Sequence, residues 1–322
     1  MHELIDRIVN LDIGNRGVAG LYAPARALTD APLCLTAARC FAGLQPGERV
    51  FILTGSLTRS AVNDRIAEND GPIGAAVLAR AITLGFNAIP VILADRSILG
   101  TLGRMTELAG PNIMPLEEAE IATALPRFTG VTVMDGISSD DAAAPAECKR
   151  LMETYAPKVV LSVERAGLTA DGTYRNMLGQ DYTEGRAKLD HVISEAAAAG
   201  IPTIGIGDGG NEIGMGAVKE AVHAHIPHGE VLCSEVATDV LIPAGVSNWG
   251  CYGVAASLAI LTGNARLAHA AELERRLIES SASVGLVDGT TGMLDPTVDG
   301  LPVAVHAGLV EMLQNVVQRA LR

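Results

Sequence analysis

Aromatic residues make up only 3% of this 322-residue chain, so its core must be built from Ala, Val, Ile and Leu. Cysteine is scarce too. The five, at 34, 40, 148, 233 and 251, lack any C-x-x-C spacing, which argues against a zinc site and a disulfide framework. They fit buried thiols in a reducing cytoplasm, the expected location. Basic residues number 24 against 37 acidic ones, a formal charge of −13. Nucleic acid and anionic membrane surfaces both reward basic patches, so neither is expected as a partner. The segment from Met1 to Asp6 has no basic stretch followed by an apolar one, so no signal peptide is expected. No apolar run reaches membrane-spanning length. Histidine is almost missing from the polar clusters described below, and no Ser/His/Asp order is visible, which argues against a hydrolase triad. His223, His225 and His228 read as a polar helix end rather than a metal site.

What the chain has is apolar substance, 48% hydrophobic against 19% charged. Strand-length apolar runs at 49–54, 88–93, 131–134, 158–163 and 201–206 match strands buried on both faces. Between the first two, Pro72 opens a helical pattern through Ile73, Ala76, Val77, Ala81 and Leu84 that Gly85 stops. Such β-loop-α-β units imply a mostly parallel sheet. Residues 231–240 read as a further strand. No linker separates domains and no repeat is visible. The expectation is one domain over 1–322, three-layer α/β, with a mostly parallel, helix-flanked, Rossmann-like sheet.

The stretch from Thr203 to Gly216 demands the most explanation. A strand runs into six glycines between 205 and 216, and a helical pattern follows. Gly205, Gly207 and Gly210 satisfy G-x-G-x-x-G, the dinucleotide fingerprint. Asp208 and Glu212, however, would repel a pyrophosphate, so no NAD is expected. The same geometry suits a cation, either a divalent metal or the ammonium group of an amino acid. A dinucleotide-dependent oxidoreductase remains the reading of the fingerprint alone.

Polar, glycine-flanked clusters follow the strands at 55–72, 162–179, 207–212 and 247–252. In a parallel sheet these ends share one edge, so the clusters should converge. Candidate catalytic residues are Glu164, Asp208, Asn211 and Glu212. Of these, Glu164, Asp208 and Glu212 are candidate ligands for magnesium or manganese, since oxygen donors favour a hard cation. Candidate substrate contacts are Asn69, Asp70, Gly71, Arg165, Asn176, Gly209, Gly210, Ser247, Asn248, Trp249 and Tyr252. Arg165, an obvious cation in these clusters, suits a carboxylate clamp. Trp249, the only tryptophan, reads as a pocket wall. The segment 12–17, which mixes turn formers with a charge pair, reads as a loop.

The runs Asn69–Ala75, Ser162–Gly167, Asp171–Tyr174 with Asn176, Gly205–Gly216, Ser247–Gly250 and the Asp-Gly turns of the tail make the chain resemble the D-glutamate cyclase C-terminal domain family over about residues 50–305. That resemblance implies ring closure of D-glutamate, a small acidic amino acid, to 5-oxo-D-proline with loss of water. Glu164 or Glu212 would then serve as base or acid, with a possible homo-oligomer. A non-catalytic protein that binds a small acid or nucleotide is the alternative.

Overall fold

The computed structural model describes residues 1–55, 57–59 and 62–322. Its strands, in chain order, are β1 (Arg49–Leu53), β2 (Ala67–Glu68), β3 (Ile89–Asp95), β4 (Asn112–Ile113), β5 (Val131–Ile137), β6 (Val159–Val163), β7 (Thr203–Gly207), β8 (Val240–Pro243), β9 (Leu286–Val287), β10 (Thr297–Val298) and β11 (Leu301–Pro302). Seven of them form one sheet in the order β4-β5-β3-β1-β6-β7-β8, and every pairing in it is parallel. Two small pairs stand apart, β2 with β9 in parallel and β10 with β11 antiparallel.

Alternation along the strands explains the layers. In β1, Val50 and Ile52 join the core on one face, whereas Phe51 and Leu53 join the core on the other. β3 splits likewise, with Ile92 and Ala94 on the first face and Val91 and Leu93 on the second. The first face carries the helices Leu33–Phe41, Pro72–Phe86, Ser247–Thr262 and Val303–Ala320, and the second carries Ala144–Tyr155 and Asp190–Ala198. This is the three-layer α/β architecture expected from apolar runs buried on both sides.

The strands lie where expected, with one correction. Residues 231–240 do not form a strand: Gly229–Leu232 is a short helix, and the last strand of the large sheet begins only at Val240. Asp239 sits just before it and accepts hydrogen bonds from the Thr203 backbone N–H and hydroxyl, which ties β8 to the start of β7. Part of the long loop 56–67, at residues 56, 60 and 61, lies outside the described residues. None of the helices among the described residues is long and apolar enough to cross a membrane.

Strand order fixes the place of the site. From β1 the chain builds outward to β3, β5 and β4 on one side, and β6, β7 and β8 extend the other. The reversal falls between β1 and β6; at such a switch point loops part to opposite faces of a sheet, the usual place of a ligand crevice.

Candidate active site

Three carboxylates meet at that crevice. Asp70, Glu164 and Asp208 each present an oxygen, and the three oxygens lie within 4.8 Å of one another. Asp70 precedes the helix Pro72–Phe86, Glu164 follows β6 and Asp208 follows β7. Three of the expected clusters thus share one edge of the sheet, and the fourth joins them through Ser247, whose hydroxyl donates to Glu164 Oε2 at 2.6 Å.

Local chemistry builds each position. Two helices exchange caps. Asp70 accepts from the backbone N–H groups of Ser247 and Asn248, which open the helix Ser247–Thr262. Asn248 Oδ1 in turn accepts from Gly71 and Gly74 at the start of Pro72–Phe86. Both positive helix ends therefore face the carboxylates. Asn69 supports the arrangement from behind, donating to Ser281 and to the Thr297 carbonyl. Gly71 has φ +87°, and a Cβ there would lie 2.7 Å from that of Glu164, so nothing larger fits. Glu164 itself has φ +49°. A left-handed backbone costs a non-glycine residue about 1 kcal/mol or more, and here it swings the carboxylate out of the line of β6 into the cluster.

The glycine loop does hold an anion, but one of its own. Glu212 Oε1 accepts from the N–H groups of Asp208 and Gly209, and Oε2 accepts from Gly210. A Cβ on Gly207 would lie 2.8 Å from that carboxyl carbon. The donors that a pyrophosphate would need are already taken, and the hydrogen-bonded Glu212 holds Asp208 in place. Glu212 was expected among the metal ligands. The convergent trio instead contains Asp70, which was expected only as a substrate contact.

Five further residues lie elsewhere than their expected roles require. Arg165 turns away from the cluster: its guanidinium is spent on Asp95, on the Gly55 carbonyl and on the Ala187 carbonyl. Trp249 is fully buried and donates its indole N–H to His306 Nδ1 at 2.9 Å, so it is core and not a pocket wall. Tyr252 points its hydroxyl at the buried Glu274. Asn176 closes a turn of the 171–182 loop by accepting from Leu178 and Gln180. Asn211 pins the same loop, donating to the Arg175 carbonyl and to the Tyr182 hydroxyl.

Two residues at the site, Arg16 and Asp299, were not among the expected site residues. Asp12 accepts from the N–H groups of Arg16 and Gly17, which fixes the 12–17 loop. From it the Arg16 guanidinium reaches Asp208 at 2.9 Å and Asp299 at 3.0 Å. Asp299 and Gly300 join β10 to β11 with φ of +54° and +72°, the left-handed pair that a two-residue hairpin demands. The Arg16 contact with Asp208 is an ion pair without hydrogen-bond alignment, so the buried Oδ2 still lacks a hydrogen-bond donor.

One arginine faces four acids, and the protonation behaviour follows. Burial pushes the Asp70 carboxyl up to about 7, with Asp299 adding to the rise. Burial and then Glu212 push Glu164 well above the usual carboxylate range. Burial raises Asp208 as well, against the opposing pull of Arg16, whose own pKa Asp208 raises in return. Such a site wants positive charge, supplied by protons, an ammonium group or a metal. Three converging oxygen donors, and on Asp208 a buried oxygen lacking a hydrogen bond, fit a hard metal cation. The cysteines contribute nothing here: burial pushes the thiols of Cys148 and Cys233 up to about 12.

A stability profile checks this charge balance. Acids with folded pKa values above their unfolded ones bind more protons when folded, so stability falls as pH rises through that window. For Asp70 the window runs from the ordinary value of 3.8 to about 7. Metal-free protein should melt about 5 °C higher at pH 5 than at pH 8. Glu164→Gln, which keeps the Ser247 contact, should shrink that difference. A flat profile in calorimetric melts would mean that the charges are compensated as they stand.

Comparison with known proteins agrees with the geometry. The chain is 31% identical over 340 residues to the human protein named "D-glutamate cyclase, mitochondrial", covering 97% of this chain and 51% of that protein. It therefore spans about half the length of that relative. The family described as D-glutamate cyclase-like, C-terminal, matches residues 5–314, nearly the whole chain and all the carboxylates of the site. With its parallel sheet, switch-point crevice and acidic cluster, the chain belongs to the D-glutamate cyclase-like C-terminal family.

Proposed function

We propose that this chain closes D-glutamate, or a closely related acidic amino acid, to 5-oxo-D-proline with loss of water. Family membership and the activity named in the human relative support the reaction class. The observation that carries the proposal is the meeting of Asp70, Glu164 and Asp208 beside Arg16.

The reaction makes one bond and breaks one: the amine nitrogen bonds to the side-chain carboxyl carbon, and a C–O bond of that carboxyl breaks. The nitrogen sheds two protons on its way from ammonium to amide, and both leave on the departing oxygen as water. A group that takes a proton from nitrogen and returns it to oxygen ends as it began. Glu164 suits that relay, because burial and the neighbouring Glu212 raise its carboxyl well above the usual carboxylate range and so favour its holding a proton. Ser247 fixes its carboxyl by one hydrogen bond. Asp208 and Asp70 draw the ammonium into the crevice and set its nitrogen against the carboxyl, which supplies much of the rate. Arg16, the cation of the cluster, receives a substrate carboxylate. With a divalent cation held by Asp70, Glu164 and Asp208 instead, Glu164 would be an ionised ligand, and the cation would draw electron density from the carboxyl under attack.

Incubation with D- and L-glutamate, with EDTA or with added manganese, tests the proposal when 5-oxoproline is followed by chromatography. Product from the D-isomer in excess over the L-isomer is expected. Loss with EDTA would assign the cluster to a metal, and indifference to EDTA would assign it to the ammonium. Saturable binding without product under any condition would defeat the cyclase reading in favour of a ligand-binding module.

A further inference from the structure

On this strongly acidic chain one cleft is lined by arginines. It has a volume of about 440 Å³, within the size range of small-ligand sites. Arg80 comes from the helix Pro72–Phe86, Arg266 from the short turn of helix Ala265–Leu267 and Arg276 from the helix Ala271–Val284. It is remote from the acidic cluster: Arg80 lies nine residues beyond Gly71, roughly 13 Å down the helix whose start faces the carboxylates.

The arginines are held but not neutralised. Arg80 donates to the Ala109 carbonyl at 3.0 Å and Arg276 to the Leu108 carbonyl at 3.2 Å, both at the negative end of the helix Leu99–Ala109. Among the described residues, neither they nor Arg266 has a carboxylate within 4.0 Å. Burial and the proximity of Arg266 and Arg276 lower the Arg80 pKa, as expected for like charges gathered together. A guanidinium has five donors, and one carbonyl uses few of them.

Three other features belong to the same cleft. The helix Ala271–Val284 starts there with no side-chain cap. His269 lines the wall 5% exposed; Glu274 holds its Nε2, and its Nδ1 has no hydrogen-bond partner. Leu267 and Leu273 give the cleft an apolar side. Three guanidinium groups against the single lining carboxylate of Glu272 leave two positive charges, which a phosphate monoester dianion matches and a lone carboxylate does not.

We propose that this cleft is a second binding site, for an organic phosphate, with its phosphate on Arg80, Arg266 and Arg276 and its carbon body against Leu267 and Leu273. The site is independent of the carboxylate cluster and of whatever substrate the cluster takes. Calorimetric titration of the whole protein with inorganic phosphate, adenosine monophosphate and 5-oxoproline tests it. Saturable binding of a phosphate compound with Kd at or below about 1 mM is expected, unaffected by Asp208→Asn. The double variant Arg266→Ala, Arg276→Ala alters two exposed side chains, should melt like the parent and should bind at least about tenfold more weakly. The proposal is overturned if no phosphate compound binds saturably or if the double variant binds as well as the parent. It also fails if Asp208→Asn abolishes the binding, which would move the ligand to the acidic cluster, or if 5-oxoproline binds more tightly than either phosphate.

Discussion

Replacing Asp208 with Asn should cut D-glutamate turnover about 100-fold or more while leaving the fold intact and, at pH 8, raising its melting temperature. Both halves come from the same geometry. Asp208 is buried with like charges around it, so its ionised form is costly in the folded state. Asn has nearly the same shape, carries no charge and keeps the backbone N–H that Glu212 holds. The gain in stability should shrink at pH 5, because burial favours the protonated form of the Asp208 carboxyl in the folded state. Activity should not recover at that pH, because an amide cannot bind a cation as a carboxylate does. Steady-state kinetics and melts at the two pH values decide the matter. Unchanged kinetics would remove the glycine loop from the mechanism.

Arg165→Ala should act in the opposite way, costing about 3–5 kcal/mol of stability, or roughly 8 °C of melting temperature. The Arg165 side chain bonds Asp95 at the end of β3, the Gly55 carbonyl after β1 and the Ala187 carbonyl. Asp95 also accepts from the Ala187 N–H. The guanidinium therefore fastens β1 and β3 to the segment that follows β6, on the far side of the strand end from Glu164. Its pKa reflects this: burial pulls it down, and Asp95 more than reverses the pull. Alanine would leave Asp95 buried without its counter-charge. Arg165→Lys keeps the charge but loses the fork and should fall between the two. A variant that melts within about 1 °C of the parent but shows a raised KM for D-glutamate would restore Arg165 to the substrate.

The contrast between Glu164 and Arg165 shows how far the sequence could be read. The strands were legible because a parallel strand buried on both faces is an apolar run, as in β1 and β6. The acids were legible because carboxylates in glycine-rich turns after such runs have few structural uses. Direction was not legible from composition alone, although successive residues leaving a strand face opposite ways, so Glu164 and Arg165 could not both enter the crevice. The same holds for Ser247 and Asn248 in the first turn of their helix against Trp249 and Tyr252, which pack inward. Glu212 was read as a ligand because a free carboxylate and one folded back on its own loop have the same spelling. Arg16 and Asp299 were out of reach for another reason. Each lies in a turn with an ordinary local explanation, and only the assembled chain brings them together.

That last pairing bears on the order in which the molecule takes shape. Arg16 and Asp299 are separated by almost the entire chain, and Asp70, Glu164 and Asp208 are spread between them. The entropy of closing a loop grows only slowly with its length, about 0.6 kcal/mol per doubling, but contacts so distant in sequence reward the chain only after the nearer ones have formed. The sheet from β1 to β8 can assemble on its apolar strands while the tail hairpin is still free. During that interval the carboxylates repel one another in water, and neither the hairpin nor its aspartate is yet in place. The site is therefore complete only once segments from both ends of the chain have come together. A cation that binds the cluster would favour the finished state by mass action, drawing the last closure to completion.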